Sequence, residues 1–166
     1  TKRMYENFIM EAEWRHMKPK GNAGIFVWGS GLNATGNPFA KGIEVQVLEN
    51  EYGKANWFTT HGDIFPIHGA TNVPDNPRGG QRSFPTTELS KPAGQWNKYV
   101  ITAIDGVIKL SVNGKTVNGI SQASVRKGYL CLESEGAEIH FRNIQIMELP
   151  PGVISKEQIA PDVSKE

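Results

Sequence analysis

Two turn signals in the second half of the chain constrain its fold more than any other feature. Asp105-Gly106 and Asn113-Gly114 are residue pairs that tolerate the positive φ angles of two-residue β-hairpin turns. The six residues between them, Val107 to Val112, are enough for one ordinary strand. With the flanking runs Tyr99 to Ile104 and Lys115 to Val117, these turns predict a three-stranded antiparallel meander.

Alternating patterns elsewhere predict further strands. From Tyr5 to Arg15 every second residue is apolar, and Gly42 to Glu49 alternates in the same way. The 166 residues include 18 glycines and 10 prolines, which favours short strands joined by turns over a helical bundle. A single turn near residues 121–126 is the best candidate for helix. We therefore predict an all-β fold made of two antiparallel sheets.

The last part of the domain is predicted to contain a hairpin and a bulge. Residues 128–133 and 137–149 read as its two strands, joined at residues 134–136. Within the second strand the apolar positions change phase, and an extra residue at Arg142-Asn143 would restore registry, which predicts a β-bulge. Pro150-Pro151-Gly152 then ends the pattern. We expect one domain over residues 1–150 and a polar tail or linker over residues 151–166.

Composition excludes several classes of function. The formal net charge is +1, with 18 Lys and Arg against 17 Asp and Glu, so nothing favours nucleic acid or an anionic membrane. No segment approaches the ~20 apolar residues of a transmembrane helix, and Thr1-Lys2-Arg3 does not begin a signal peptide. Cys131 is the one cysteine, which excludes an internal disulfide and a cysteine-cluster metal site.

The strand over residues 42–49 carries polar groups on the face opposite its apolar residues. Ile43, Val45 and Val47 share one face, whereas Glu44 and Gln46 lie on the other. At a rise of ~3.3 Å per residue, the carboxylate and the amide are about 6–7 Å apart along the strand. A carboxylate accepts hydrogen bonds from hydroxyls and an amide both donates and accepts, which suits a sugar. The alternative is an ordinary solvated sheet face.

The poorly periodic region over residues 50–92 holds the titratable candidates. His61, Asp63 and His68 lie within it, and loops of this length in a compact domain are usually functional. A histidine oriented by a carboxylate can act as a general base, and the same groups can bind a divalent metal ion. Surface positions or loop packing are the alternative for both histidines.

Three further groups are candidates for substrate contact. Trp28 and Trp57 could stack on the apolar face of a pyranose, with core packing as the alternative. Arg82 follows a Gly-Gly pair and could reach a polar substrate, although an exposed loop arginine is the alternative. Glu133 and Glu135 share a strand face, and paired carboxylates divide acid and base work in glycosidases. The sequence contains no P-loop, GxSxG or HExxH motif.

Several segments, taken in order, resemble the DUF1080 or 3-keto-disaccharide hydrolase domain family. The segments that carry the resemblance are Tyr5-Glu6-Asn7-Phe8, Glu13-Trp14-Arg15, Gly21-Asn22-Ala23-Gly24-Ile25-Phe26, Gly42-Ile43-Glu44-Val45-Gln46-Val47-Leu48, Gly94-Gln95-Trp96-Asn97, Val112-Asn113-Gly114 and Phe141-Arg142-Asn143-Ile144. The resemblance covers roughly residues 5–149. It implies a concanavalin A-like (lectin/glucanase) jelly roll, and a periplasmic or extracellular location. Members of the family usually have strands before the segment matching Tyr5. We therefore expect those strands to be missing here, or the open edge to be covered by another chain, as in a homo-oligomer.

The resemblance also implies a carbohydrate substrate and cleavage of a glycosidic bond, with 3-keto-glucosides as the substrate class. In this assignment the substrate lies on the face that carries Glu44. His61 or His68 is the base, and Asp63 orients it or binds a divalent metal ion. The residues expected to contact the sugar are Asn22, Trp28, Gln46, Trp57, Arg82 and Glu133.

Two other classes of function compete with an enzyme. A non-catalytic carbohydrate-binding module is the first alternative, because this type of sandwich carries both lectins and hydrolases. The loop histidines favour an enzyme, since sugar binding alone rarely needs a titratable base. A structural or interaction domain is the third reading, and it predicts no ligand around Glu44.

Overall fold

The computed structural model describes residues 1–31, 41–53 and 60–151. Its strands, in chain order, are β1 (Asn7–His16), β2 (Asn22–Gly29), β3 (Gly42–Gln46), β4 (Ile64–Ile67), β5 (Val73–Pro74), β6 (Asn97–Ile104), β7 (Val107–Val112), β8 (Lys115–Ser121), β9 (Tyr129–Glu135) and β10 (Ile139–Leu149). Over these residues the structure contains no helix, so the turn predicted near residues 121–126 is not helical. No helix long and apolar enough to span a membrane is therefore present in the described ranges.

The ten strands form two antiparallel sheets, as predicted. One sheet has six strands in the order β10-β1-β6-β7-β8-β5, and the other has four in the order β4-β3-β2-β9. The described residues of the region 50–92 contribute the two short strands β4 and β5. The prediction of an all-β two-sheet sandwich is confirmed, whereas the predicted tail at 152–166 lies outside the described residues.

The core fills the space between the two sheets with the residues that alternation had placed inward. From β1 it takes Phe8, Met10, Ala12 and Trp14, each at most 2% exposed. From β3 it takes Ile43 and Val45, which are fully buried. Because side chains alternate along a strand, Glu44 and Gln46 lie on the opposite face of the four-stranded sheet, here called the outer face.

Both predicted hairpin turns are present. The φ angles are 48° and 83° at Asp105-Gly106, and 49° and 92° at Asn113-Gly114. Two consecutive positive φ angles define the turn that matches the right-handed twist of paired strands. The residues that close the two turns are paired as Ile104 with Val107 and Val112 with Lys115. The meander β6-β7-β8 therefore follows directly from these two dipeptides.

The bulge at Arg142-Asn143 is also confirmed. Glu11 pairs with Gln145 and Glu13 pairs with Arg142, so two steps on β1 correspond to three on β10. Asn143 takes a positive φ of 50° at this point. The extra residue shifts the apolar positions of β10 by one, as the change of phase in the sequence indicated.

The predicted hairpin between the last two strands is wrong. β9 pairs with β2 in the four-stranded sheet, whereas β10 pairs with β1 in the six-stranded sheet. The intervening segment turns sharply, with Gly136 at a φ of 72° and the Ser134 hydroxyl donating to Ala137 O at 2.7 Å. The chain therefore crosses from one sheet to the other at a turn that looks locally like a hairpin.

Candidate functional site

Sheet order brings polar residues from three strands together on the outer face. On β2, Gly24 lies between Gln46 of β3 and Glu133 of β9, and all three residues are in direct register. Phe26, two residues along, pairs with Glu44 on β3. Residues directly opposite in a sheet point to the same side, so these side chains share the outer face.

Glu44 places its carboxyl group over the neighbouring strand, where Gly24 has no side chain. A Cβ built on Gly24 would lie 2.6 Å from Glu44 Oε1, closer than any contact allows. Glu44 is 6% exposed. Burial is the main cause that raises the pKa of Glu44 to about 8, and the charges of Glu133 and Glu135 raise it further. Glu44 is therefore mostly protonated at neutral pH.

Glu133 is a second carboxyl group on this face with a raised pKa. Burial is the main cause that raises the pKa of Glu133 to about 7, followed by the charge of Glu135. Its Oε1 is buried and has no hydrogen-bond partner among the described residues. Glu44 reaches over Gly24, and Glu133 is the residue paired with Gly24 on the other side of β2. The charge of Glu133 is the second cause that raises the pKa of Glu44, so the two carboxyl groups interact electrostatically. They form a pair that holds roughly one proton near neutrality.

A chain of amide hydrogen bonds supports this carboxyl pair. Gln46, which is 3% exposed, donates from Nε2 to Asn22 Oδ1 at 2.8 Å and to Ala23 O at 3.2 Å. Asn22 Nδ2 in turn donates to Glu135 Oε2. Both N–H groups of Gln46 are thus used within the protein. Gln46 orients Asn22, and Asn22 orients Glu135, so the predicted sugar grip of Gln46 becomes a positioning role.

Asp63 and Arg82 form an ion pair at the β4 side of the same face. Arg82 donates from Nη1 to Asp63 Oδ2 at 3.1 Å, and its guanidinium carbon lies 3.5 Å from the centroid of the Phe65 ring. Burial is the main cause that raises the pKa of Asp63 to about 6, against hydrogen bonds from Thr60 and the charge of Arg82. The positive charge of Arg82 lowers the pKa of Glu44, which places Arg82 in the electrostatic field of the carboxyl pair.

The two histidines predicted as bases do not join Glu44. His61 is 5% exposed; burial lowers its pKa, and the nearby charges that oppose this shift belong to Glu88 and Glu49. His68 is exposed, in the turn that follows β4. The structure therefore separates the predicted catalytic set, because Asp63 and His68 lie at opposite ends of β4 and the charges that act on the buried His61 are those of Glu88 and Glu49.

Trp28 is a core residue, and the expectation that it stacks on a sugar is wrong. Its side chain is 1% exposed, and the indole Nε1 donates to Glu6 O at 2.7 Å. A φ of 54° at Trp28 turns the ring inward at the end of β2. Trp57, the other tryptophan predicted to stack, lies outside the described residues.

A shared metal site finds no support in the described ranges. There, no three or more His, Cys, Asp or Glu side chains are grouped so that they could hold an ion. Asp63, the ligand expected from the sequence, already accepts hydrogen bonds from the Thr60 N–H and hydroxyl at 2.9 and 2.6 Å and from Arg82. Its carboxylate is occupied by protein donors.

Three members of the site were missed or underrated from the sequence. Gly24 matters because it leaves room for a neighbouring carboxyl group, and no local pattern marks such a glycine. Phe65 supports Arg82, yet it lies in the poorly periodic region. Glu135 was noted only as a partner of Glu133, although its alternation with Glu133 along β9 placed both on one face.

Comparisons with known proteins agree with this architecture. The structure is similar to a proposed glycosyl hydrolase from Parabacteroides distasonis, with a TM-score of 0.66 and 20% identity over 90% of this chain and 75% of that one. A second such structure from the same organism has a TM-score of 0.64 and 21% identity, and covers 90% of this chain and 81% of that one. The carbohydrate-binding module CBM66 from Bacillus subtilis matches with a TM-score of 0.54 and 12% identity, covering 86% and 76% of the two chains. At these identities the likeness shows a shared fold.

Sequence comparisons identify the family. No curated protein matches the chain. Residues 1–147 match a family described as the 3-keto-alpha-glucoside-1,2-lyase-like domain. This match spans both sheets and ends within β10, and the family description agrees with a function related to carbohydrate. The chain therefore belongs to the 3-keto-alpha-glucoside-1,2-lyase-like domain family.

Proposed function

We propose that this protein is an enzyme that cleaves a glycosidic bond of 3-keto-glucosides or related disaccharides by base-assisted elimination and addition of water. The observation that carries the proposal is the carboxyl pair formed by Glu44 and Glu133 across Gly24 on the outer face. Two carboxyl groups with raised pKa values, about 8 and about 7, are typical of acid–base chemistry near neutral pH.

The chemistry of a 3-keto sugar explains how such a pair would act. A ketone at C3 acidifies the proton at C2, so a base can remove that proton and the electron pair moves onto the ketone oxygen as an enolate. The enolate then expels the substituent at C1, which needs a proton on the departing oxygen. The product has a C1=C2 double bond, and addition of water across it completes a net hydrolysis.

We assign the base to Glu133 and the acid to Glu44. Near neutral pH, the lower pKa of Glu133 makes it the ionised partner more often, whereas Glu44 retains its proton. Glu133 takes the C2 proton and Glu44 protonates the leaving oxygen. During water addition Glu44 accepts a proton from water and Glu133 returns its proton to C2, so the pair ends as it began. This assignment replaces His61 and His68 as the base; the charges that act on His61 are those of Glu88 and Glu49.

Asn22 and Glu135 provide the most accessible polar contacts beside the pair. Asn22 is partly exposed, and Glu135 is exposed at the end of β9. Held by Gln46, the Asn22 amide is fixed before a ligand binds. Preorganised polar groups of this kind orient sugar hydroxyls without the cost of ordering flexible side chains.

The proposal is tested by kinetics on oxidised and unoxidised substrates. A 3-keto disaccharide and its parent disaccharide are incubated with the wild-type protein, with and without a chelator, and products are followed by chromatography. We expect turnover of the 3-keto sugar alone, and losses of about 10²-fold or more in Glu44→Gln and Glu133→Gln. Glu138→Gln is the matched control, because Glu138 is an exposed carboxylate that pairs with His140 on the other sheet.

The same experiment separates an enzyme from a carbohydrate-binding module. Turnover at the wild-type rate by both Glu44→Gln and Glu133→Gln would show that these residues are not the acid and the base. Saturable binding of the disaccharides without any product from the wild-type protein would show a binding module instead. If the wild-type protein shows neither binding nor turnover, the remaining interpretation is a structural or interaction domain.

A further inference from the structure

One charged group on the outer face has no part in the proton transfers described above. Arg82 lies over the ring of Phe65, with its guanidinium carbon 3.5 Å from the ring centroid. Its side chain is 23% exposed, and within the described ranges its hydrogen bond goes to Asp63. A guanidinium has five N–H groups in a rigid plane, so those not facing Asp63 can be directed at a ligand.

Contacts with both the side chain and the neighbouring backbone hold Arg82 in place. Asp63 is fully buried and is itself fixed by the Thr60 N–H and hydroxyl. The residue after Arg82, Ser83, exchanges backbone hydrogen bonds with Ile64 at 2.9 and 2.8 Å. This bridge ties the segment that carries Arg82 to β4. The guanidinium is therefore oriented before any substrate arrives, which is the condition for efficient charge stabilisation.

We propose that Arg82 binds the oxygen of the 3-keto group and stabilises its negative charge in the enolate, with Asp63 as its positioning residue. This inference rests on the proposed elimination. When Glu133 removes the C2 proton, the C–H electron pair forms the C2=C3 bond and the ketone π pair moves to oxygen. The charge develops on that oxygen, and Arg82 supplies fixed N–H donors for it.

The position of Arg82 relative to the carboxyl pair fits this role. Arg82 lies towards β4 and Glu133 lies on β9, with β3 and β2 between them. In the proposed complex a pyranose lies across Glu44 and Gly24, with C2 towards Glu133 and its ketone towards Arg82. The influence of Arg82 on the Glu44 pKa independently places the guanidinium within reach of this space.

The assignment also explains how the site would distinguish keto sugars from ordinary ones. A hydroxyl at C3 develops no negative charge, so Arg82 gains little from a sugar that has not been oxidised. Arginine remains charged at all relevant pH values and its planar donors fit an enolate oxygen better than a lysine ammonium does. Arg82 then adds to the selectivity that the acidity of the C2 proton in the keto sugar already provides.

The test isolates enolisation from cleavage. The probe is 1,5-anhydroglucitol oxidised at C3, which has no glycosidic substituent at C1, so exchange of its C2 proton in D₂O reports enolate formation without glycosidic cleavage. We expect exchange with the wild-type protein, a loss of about 10²- to 10³-fold in Arg82→Ala, and partial recovery when guanidinium ion is added to that variant. Asp63→Asn should lower the exchange rate with little change in the apparent affinity for the probe.

The matched control is Arg78→Ala. Arg78 also lies over a phenylalanine, Phe84, at 4.4 Å, but it is exposed, so its removal should leave exchange unchanged. Exchange by folded Arg82→Ala at the wild-type rate would overturn the role of Arg82 while leaving the elimination intact. Failure of the wild-type protein both to exchange the probe and to cleave 3-keto disaccharides would overturn the proposed function, and this inference with it.

Discussion

The carboxyl group of Glu44 fills the space that Gly24 leaves on the adjacent strand. A Cβ at Gly24 would lie 2.6 Å from Glu44 Oε1 and 3.0 Å from its carboxyl carbon. Gly24 is therefore required less for backbone freedom than for access, because its missing side chain lets Glu44 reach towards Glu133 on the far side of β2. The geometry of the proposed site depends on this one contact.

Gly24→Ala should displace the Glu44 carboxyl group and abolish most activity. The added methyl group fits only if the flexible Glu44 side chain moves away, so we expect a fall in kcat and a loss of about 1 kcal/mol in the free energy of unfolding. Glu44→Asp is one methylene shorter, and the double variant should recover the stability that Gly24→Ala loses. Urea unfolding and steady-state kinetics measure both effects. Additive losses in the double variant would show that the two residues do not share this space.

Glu44 should make the protein less stable as the pH rises. Burial, followed by the charge of Glu133, raises the pKa of Glu44 from 4.5 to about 8. Between these values the folded protein holds a proton that the unfolded chain releases, so the free energy of unfolding falls with increasing pH. The stabilisation by protonated Glu44 is complete below about pH 4.5 and is lost as the pH rises through about 8.

Glu44→Gln should flatten this dependence, since the amide is neutral at every pH. We expect the variant to be more stable than the wild-type protein at about pH 8 by on the order of a few kcal/mol, and to differ less at about pH 5. Urea unfolding across this range measures the difference. Parallel curves for the two proteins would show that Glu44 ionises in the folded state as it does in the unfolded chain.

The carboxyl pair should give turnover a bell-shaped pH dependence. The acid limb follows ionisation of the base and the alkaline limb follows loss of the acid's proton, with apparent pKa values near 7 and 8 that belong to the pair. The charge of Glu135 raises the pKa of both groups. Glu135→Gln keeps an acceptor for Asn22, and it should move both limbs to lower pH. An unchanged profile in this variant would contradict the assignment of Glu133 as base.

Trp28 should contribute to stability and not to sugar binding. Trp28→Phe keeps an aromatic ring in the core but removes the hydrogen bond to Glu6 O, so we expect a loss of about 1–3 kcal/mol of unfolding free energy. Affinity for a 3-keto disaccharide should be unchanged when measured by calorimetry below the melting temperature. A drop in affinity without a drop in stability would restore the stacking role.

Local signals in the sequence were sufficient for much of the fold. The dipeptides Asp105-Gly106 and Asn113-Gly114 specify their turns through the φ angles they allow, and each turn fixes the register of the strands it joins. The bulge at Asn143 was predictable because an inserted residue leaves a visible change of phase. The strand that follows Gly136 was assigned to the wrong sheet, since a tight turn does not encode which sheet receives the next strand.

The site was predictable only as far as single strands allowed. Alternation placed Glu44 and Gln46 on one face, and Glu133 and Glu135 on another. Whether these faces coincide depends on the placement of β2 between β3 and β9, a long-range property that no local pattern carries. The histidines were chosen by residue type, whereas long-range packing decides that His61 is buried and His68 is exposed after β4.

His61 provides the sharpest test between the sequence-based assignment and the structure. If Glu133 is the base, His61→Gln should retain turnover within about threefold of the wild-type rate, because the charges that act on His61 are those of Glu88 and Glu49. Burial lowers the pKa of His61 from 6.5, so the folded state binds fewer protons than the unfolded chain in acid. The contribution of neutral His61 to stability is therefore present above pH 6.5 and is lost as the pH falls through the lowered pKa of the folded state.

The same variant should therefore change the pH dependence of stability while leaving catalysis intact. Glutamine does not titrate, so His61→Gln should lose less unfolding free energy than the wild-type protein between about pH 7 and about pH 5. Urea unfolding and turnover are measured on the same preparations, with His140→Gln as the control for an exposed histidine on the other sheet. A loss of turnover of about 10²-fold in folded His61→Gln would return the role of base to the histidine, because no purely structural role predicts such a loss at unchanged stability.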